Sequence, residues 1–387
     1  MRRWIDPMRI AFYAPLKPPT DPVPSGDRRM ARLLMQALSQ AGHEVVLASR
    51  FRSYDGAGDA VRQDRLRRIG GRLATQFLRR TRDRKPDLWF TYHLYHKAPD
   101  WLGPTVAWHL GIPYVLAEAS HAGKQEHGPW RAGWAAARSA IAEAGRAFSL
   151  NPEDDAGIRP LLRDPSRLVG LPPFLDLSAR PAIDRMAERA AIAAHHGLAP
   201  DAVWIAVAAM MRPGAKQESY RLLAEALSRL AAARGTAGWA VLIAGDGPAR
   251  DGIASAFPAL PNLRFLGALA EPAMGRFLTA CDLYAWPAIG EAYGMAILEA
   301  QAAGLPVVAA DRPGIAAMVA ADRSGLLVPE ADTTAFTAAL ERLIERKELR
   351  QNMRLEAVSK IVREHSIDVA AARLDAGLAG LVRRNAA

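Results

Sequence analysis

The chain has 387 residues, of which 50% are hydrophobic and 23% charged, and its 50 Lys and Arg against 40 Asp and Glu give a formal charge of +10. At about 150 residues per domain, that length excludes a single small fold, and the composition excludes disordered and fibrous classes. A single cysteine, Cys281, excludes an internal disulfide and a thiolate metal cluster, which fits a reducing, cytoplasmic compartment.

No apolar run approaches the ~18 residues needed to span a bilayer, and the alanine-rich stretches 134–147 and 187–197 are broken by charges. The opening residues, Met1 to Met8, lack the apolar core of a secretory signal, and Met1 and Met8 are equally acceptable starts.

In chain order, short apolar runs of strand length fall at Ile10–Ala14, Glu44–Ala48, Leu88–Tyr92, Tyr114–Ala117 and Ala147–Leu150, separated by helical stretches such as Arg28–Ala41. Strands apolar on both faces that alternate with helices predict parallel pairing through crossovers. Leu171-Pro172-Pro173-Phe174 and a second break at Pro181 interrupt the pattern. It restarts with Val203–Ala209, Ala240–Ala244, Leu263–Leu266, Leu283–Trp286 and Pro306–Ala310. The expectation is an α/β protein of two doubly wound domains, 1–177 and 178–365, with a ligand cleft between them at the carboxyl ends of the strands.

Charge is concentrated in residues 50–85, where twelve basic residues face four aspartates, a net +8. Within that segment Leu66, Ile69, Leu73 and Phe77 recur at helical spacing, so it reads as a helix with an apolar stripe and arginines around the rest. Such a face fits plain solvation or contact with an anionic lipid or phosphorylated acceptor. Gly70-Gly71 in its middle favours a bent or mobile element.

The stretch from Cys281 to Ala310 carries the most chemistry. A strand leads into the loop 287–293, and Gly294 opens a helix that runs to about Ala303 and is closed by Gly304 and Pro306. A helix amino terminus offers free N–H groups and the positive end of a dipole to an anion, and a glycine there lets the ligand approach. Glu291 and Glu299 can bracket one such ligand from either side. No Asp-x-Asp triplet and no His or Cys cluster of ligand spacing is present, so no catalytic metal is expected.

This stretch resembles the signature of the retaining family 4 glycosyltransferases (glycosyl transferases group 1) of the GT-B fold, in which two glutamates, an aromatic and a glycine recur at this spacing. The resemblance extends over the second domain: Ala208 to Lys216, Ile243 to Pro248, Asn262 to Gly267 and Ser324 to Val328 fall in matching order. It is looser over Tyr13 to Gly26, Leu88 to His93, Ser149 and Pro172 to Asp176. It implies two Rossmann-like domains, with a C-terminal helix within 366–387 crossing back to complete the first. A sugar would move, with retention and without metal, from a nucleoside diphosphate donor of the UDP, GDP or ADP type to an acceptor hydroxyl on a glycan, lipid or small molecule. A place in polysaccharide biosynthesis, at the inner face of a membrane, is in keeping with it. By the same resemblance Arg212 and Lys216 hold the donor diphosphate, and Glu299 takes the ribose hydroxyls. Glu291, Ala292 and the N–H groups of Tyr293, Gly294 and Met295 meet the sugar and phosphate. Gly245, Asp246 and Gly247 lie near the base, although unaided they read as a turn.

Elementary chemistry agrees: leaving phosphate gains charge in the transition state, which an Arg fork and a Lys point charge stabilise in different ways. In the first domain Gly26 resembles the family's glycine loop, and unaided it is a helix start with Asp27 as cap. His121, or next His93, stands where the family has a functional histidine. The alternatives are a nucleotide-sugar hydrolase or epimerase, or a non-catalytic module binding through residues 50–85. With the cationic pair and both glutamates present, nucleic acid is not the expected partner.

Overall fold

The computed structural model describes residues 6–178, 183–257 and 259–382. The break at Pro181, the start at Met1 and the last residues of the C-terminal segment lie outside these. The chain divides into two compact units, one comprising residues up to Phe174 and from Ile367 onward, the other Leu175–Ser366.

The first unit holds a parallel sheet of β1 (Arg9–Tyr13), β2 (Glu44–Leu47), β3 (Leu88–Leu94), β4 (Tyr114–Ala119), β5 (Arg146–Ser149) and β6 (Leu168–Gly170). Their order across the sheet is β2-β1-β3-β4-β5-β6. β3 and β4 are almost wholly buried, as strands covered by helices on both faces must be. Aromatic pairs such as Phe12–Phe90, with ring centroids 5.7 Å apart, fill the space above the sheet.

The second unit holds β7 (Val203–Ala208), β8 (Trp239–Ala244), β9 (Leu263–Gly267), β10 (Leu283–Trp286), β11 (Val307–Ala310) and β12 (Gly325–Val328). All pairs are parallel, in the order β12-β11-β10-β7-β8-β9. β7, β8, β10 and β11 are buried throughout, and Trp204, Trp239 and Trp286 are its largest buried side chains. Both units therefore have the doubly wound α/β arrangement expected, and every strand read from the sequence is present within two residues at each end.

The structure corrects two local readings. The first helix runs Gly26–Gln40 and is capped by Ser25, whose hydroxyl accepts the Arg28 N–H at 3.2 Å; Asp27 is not the cap and lies in the first turn. The basic helix runs unbroken over Ala60–Arg80, so Gly70-Gly71 does not interrupt it. Gly70 is instead buried where a Cβ would overlap Trp101, and its stripe combines Gln63, Gly70, Ala74 and Phe77.

The C-terminal helix, Ile367–Leu378, packs in the first unit. Its Asp368 accepts a hydrogen bond from Gln40, and the Gly377 carbonyl accepts one from Arg146 at 2.7 Å. Gly377 has no Cβ because Phe148 occupies the space.

Candidate active site

In an open parallel sheet a crevice opens at the carboxyl ends of the two strands where the strand order reverses. In the second sheet those strands are β7 and β10. β7 feeds a loop whose Gly214, at φ 85°, opens the helix Ala215–Arg234, and Lys216 lies in its first turn. β10 feeds the loop 287–294 and the helix Met295–Ala302.

Across this switch point the Lys216 ammonium lies 2.6 Å from Glu291 Oε1. The other carboxylate oxygen accepts the Trp286 indole N–H at 2.7 Å, and Lys216 Nζ sits 5.2 Å from the centre of that indole. One cation, one anion and one aromatic therefore meet where the fold opens its crevice. Beneath them the carbonyls at the end of β7 are satisfied by phenols: Tyr284 donates to Ala208 at 3.0 Å and Tyr220 to Ala209 at 2.7 Å. Burial, and then the Glu291 carboxylate, hold the Tyr284 hydroxyl well above its ordinary range. It remains a donor at any physiological pH.

The other sequence-derived candidates surround this pair to different degrees. Arg212 is exposed on the loop between β7 and the Lys216 helix. Gly245 and Gly247 follow β8, and a Cβ on either would overlap the Ala209 or Met211 carbonyl. That close lacing is completed by Met211 N–H to the Asp246 carbonyl at 2.9 Å and Ala249 N–H to the Met211 carbonyl at 3.0 Å. The turn is thus a packing partner of the β7 loop. Gly294, itself buried, is the N-cap of the Met295–Ala302 helix; no side chain caps it, and no acidic residue in the first turn offsets the dipole. Tyr293, Met295 and Glu299 are half-buried, and Ala292 is exposed.

Sequence reasoning missed three residues that hold the Glu291 loop. Ile289 N–H donates to Ser219 Oγ at 3.0 Å, Gly290 N–H to Glu330 Oε1 at 2.9 Å, and Arg312 Nε to the Glu291 carbonyl at 3.1 Å. They come from three separate elements, and no local pattern marks them.

In the first sheet the switch point lies between β1 and β3. There His93 Nδ1 lies 3.1 Å from Asp27 and 3.5 Å from Glu118. His93 and Glu118 both have left-handed backbones, φ 61° and 55°, and face each other between the paired residues Tyr92–Ala117 and Leu94–Ala119. For non-glycine residues that conformation costs on the order of 1–3 kcal/mol each, so the surrounding structure must hold them in it. Burial opposes charge on His93, but Glu118, Asp27 and Asp154 outweigh it and raise its pKa to about 9. His121 packs instead on Trp134, with ring centroids 4.8 Å apart, and burial followed by Arg138 lowers its pKa. Of the two histidines, His93 carries the charge at neutral pH. Glu118 and Asp154 were not singled out from the sequence as site residues; the first stood beside His121 in the sequence and could have been weighed with it.

Among the described residues, no group of three or more His, Cys, Asp and Glu side chains could hold a metal ion.

Residues 202–346 match the family described as Glycosyl transferases group 1. This span contains the Lys216–Glu291 pair and all six strands of the second sheet. Residues 202–346 belong to the group 1 glycosyl transferases. Relatives of this glycosyl transferase segment include the D-inositol 3-phosphate glycosyltransferase of Jonesia denitrificans, 30% identical over 50% of the chain and 47% of the relative. The phosphatidyl-myo-inositol mannosyltransferase of Mycobacterium leprae is 31% identical over 35% of the chain and 36% of its own length. The chain thus matches about half or less of the length of these curated relatives.

The whole fold is similar to sucrose-phosphate synthase from Thermosynechococcus elongatus, at 16% identity, 95% coverage of the chain, 97% of that structure and a TM-score of 0.72. It is also similar to Anabaena HepE in complex with UDP and glucose, at 14% identity, 96% and 100% coverage and a TM-score of 0.69. With two Rossmann-like units and glycosyltransferase neighbours over nearly the whole chain, the fold is GT-B.

Proposed function

We propose that the chain is a retaining glycosyltransferase that moves a sugar from a nucleoside diphosphate to an acceptor hydroxyl without a metal. The observation that carries this reading is the Lys216–Glu291 pair at the β7/β10 switch point, beside the uncapped amino terminus of Met295–Ala302. Cleaving a sugar from a diphosphate leaves negative charge on phosphate, and a preorganised ammonium and helix N–H groups stabilise that charge. Lys216, joined by the exposed Arg212, supplies the cations; Glu291 steers the sugar, and Glu299 reaches ribose hydroxyls from further along the helix. The turn at Gly245, Asp246 and Gly247 borders the base. Retention follows from attack on the face the leaving phosphate vacates, with that phosphate taking the acceptor proton.

In the first unit, Gly26, at the start of the helix bearing Asp27, and the His93–Glu118 pair form the acceptor side, with His121 an outer contact. The basic helix Ala60–Arg80 suits an anionic acceptor or an anionic membrane at the cytoplasmic face, and residues 50–85 supply a net +8 of the chain's +10. The relatives named for inositol phosphate and phosphatidylinositol acceptors support an anionic acceptor, and a neighbour solved with UDP and glucose supports a nucleotide-sugar donor.

The test is turnover of UDP-, GDP- and ADP-sugars in EDTA, with inositol phosphate, phosphatidylinositol and simple glycosides as acceptors. Transfer with retained configuration is expected. Free sugar or an isomer formed without acceptor would replace this reading by a hydrolase or epimerase, and no response to any nucleotide sugar would end it.

A further inference from the structure

Glu291 sits on a tight loop that its own N–H closes by donating to the Ala288 carbonyl at 3.2 Å. Ala288 and Gly290 both have left-handed backbones, φ 57° and 61°, and for alanine that conformation is strained. Three consecutive residues of this loop, Ile289, Gly290 and Glu291, are each also held through the backbone by a side chain from a different element. Ser219, fully buried on the Lys216 helix, accepts the Ile289 N–H and donates to the Ala215 carbonyl at 2.9 Å. Glu330, beyond β12, accepts the Gly290 N–H. Arg312, beyond β11, donates through Nε to the Glu291 carbonyl and through one terminal nitrogen to both Glu330 oxygens at 2.7 and 2.8 Å. Arg312 thus grips the loop on one side and its own anchor on the other. The Gly290 N–H, first, and then Arg312 hold the Glu330 carboxyl below its ordinary pKa, so the anchor stays charged.

We propose that Arg312, Glu330 and Ser219 are positioning residues that brace the Glu291 loop and so fix the glutamate against the reacting sugar. The inference rests on the transferase reading for its kinetic consequence, but the brace itself is a property of the loop. Lys216 shares an ion pair with Glu291, but its backbone lies in the first turn of its own helix, and the helix Met295–Ala302 is buried through Ile297 and Leu298, so the backbone that presents the nucleotide-gripping groups does not depend on the brace. Loosening the brace therefore misplaces Glu291 more than it weakens donor binding, and misplacement of a reacting group is costly in rate.

The experiment pairs two measurements on Arg312→Ala, Arg312→Lys and Glu330→Gln. With whichever of UDP-, GDP- or ADP-glucose the wild type turns over, kcat should fall at least tenfold in Arg312→Ala with donor KM within twofold. Arg312→Lys, which keeps the charge but loses the fork, should restore little, and Glu330→Gln should lose less than either arginine variant. Hydrogen exchange over residues 287–294 should accelerate in all three. Unchanged exchange overturns the brace. So does unchanged kcat, or a loss confined to KM. A wild type with no turnover removes the transferase reading alone, since exchange still decides the brace; Glu330→Gln, a near-isosteric change, carries that measurement should the arginine variants fold poorly.

Discussion

On the function proposed above, most of the chemistry turns on Lys216. Its ammonium is held by Glu291 at 2.6 Å, which on the proposed reading aims the cation at the donor diphosphate. Lys216→Ala should lose about 3 kcal/mol of transition-state stabilisation, on the order of a hundredfold in kcat/KM, by analogy with removal of an oxyanion-binding donor. Steady-state kinetics with the preferred donor measure it, and a loss under threefold would remove Lys216 from the diphosphate. His93 gives a second test at this scale. Its pKa rises from the ordinary 6.5 to about 9 on folding, so its contribution to stability is complete below about pH 6.5 and is lost as pH climbs through 9. The melting-temperature gap between wild type and His93→Gln should accordingly shrink between pH 6.5 and 9.5. A gap that is constant over that range would mean that His93 is neutral in the folded protein.

At the scale of elements, the basic helix Ala60–Arg80 has two glycines with opposite roles. Gly70 lies against Trp101, whereas nothing lies within 4 Å of a Cβ placed on Gly71. Gly70→Ala should destabilise by about 1–3 kcal/mol through overpacking, while Gly71→Ala should stabilise by about 0.5–1 kcal/mol through helix propensity. Chemical denaturation of the two variants distinguishes them, and equal effects would mean that the Trp101 contact is not what excludes a side chain. Arg65, Arg72 and Arg79 recur every seven residues along the exposed side of the same helix. If each contributes about 1 kcal/mol at an anionic surface, reversing all three to Glu should cut binding to phosphatidylglycerol vesicles more than tenfold in a sedimentation assay. Unaltered binding would remove this helix from any contact with anionic lipid.

Strands were the legible part of this sequence because burial on both faces leaves continuous apolar runs. β6 escaped notice because Leu168-Val169-Gly170 is only three residues long and half-exposed at the sheet edge. The loop and helix that carry Glu291 and Glu299 could be read because loop, glycine and helix stand in sequence order, whereas Lys216 stood out only through the family resemblance. Ser219, Glu330 and Arg312 could not, since each meets the loop across 70, 40 and 21 residues of chain. Charge on His93 was equally hidden, as it depends on Asp27, Glu118 and Asp154 converging from three elements.

At the scale of the whole molecule, the first unit is built from both ends of the chain. The C-terminal helix buries Ile367, Leu374 and Leu378 there. At about 1.5–3 kcal/mol for each large side chain, those three alone approach the total stability of an ordinary domain. A chain ending at Ser366 should therefore lose the calorimetric transition of the first unit while keeping that of the second. Two intact transitions in the truncated protein would show that the helix is dispensable.

The second unit leaves and re-enters at one point: the Leu175 N–H donates to the His365 carbonyl at 2.8 Å, and Leu175 bridges Ser366. It is an insertion with its two ends tied together. On the ribosome this inverts the order in which the parts mature. The amino-terminal half is synthesised first yet must wait, incomplete, for the last helix to emerge, whereas the inserted unit is whole as soon as Ser366 clears the exit tunnel. The inserted unit is thus finished before the unit that encloses it in the chain, and the Phe148 side of the first sheet stays uncovered until the last helix packs there.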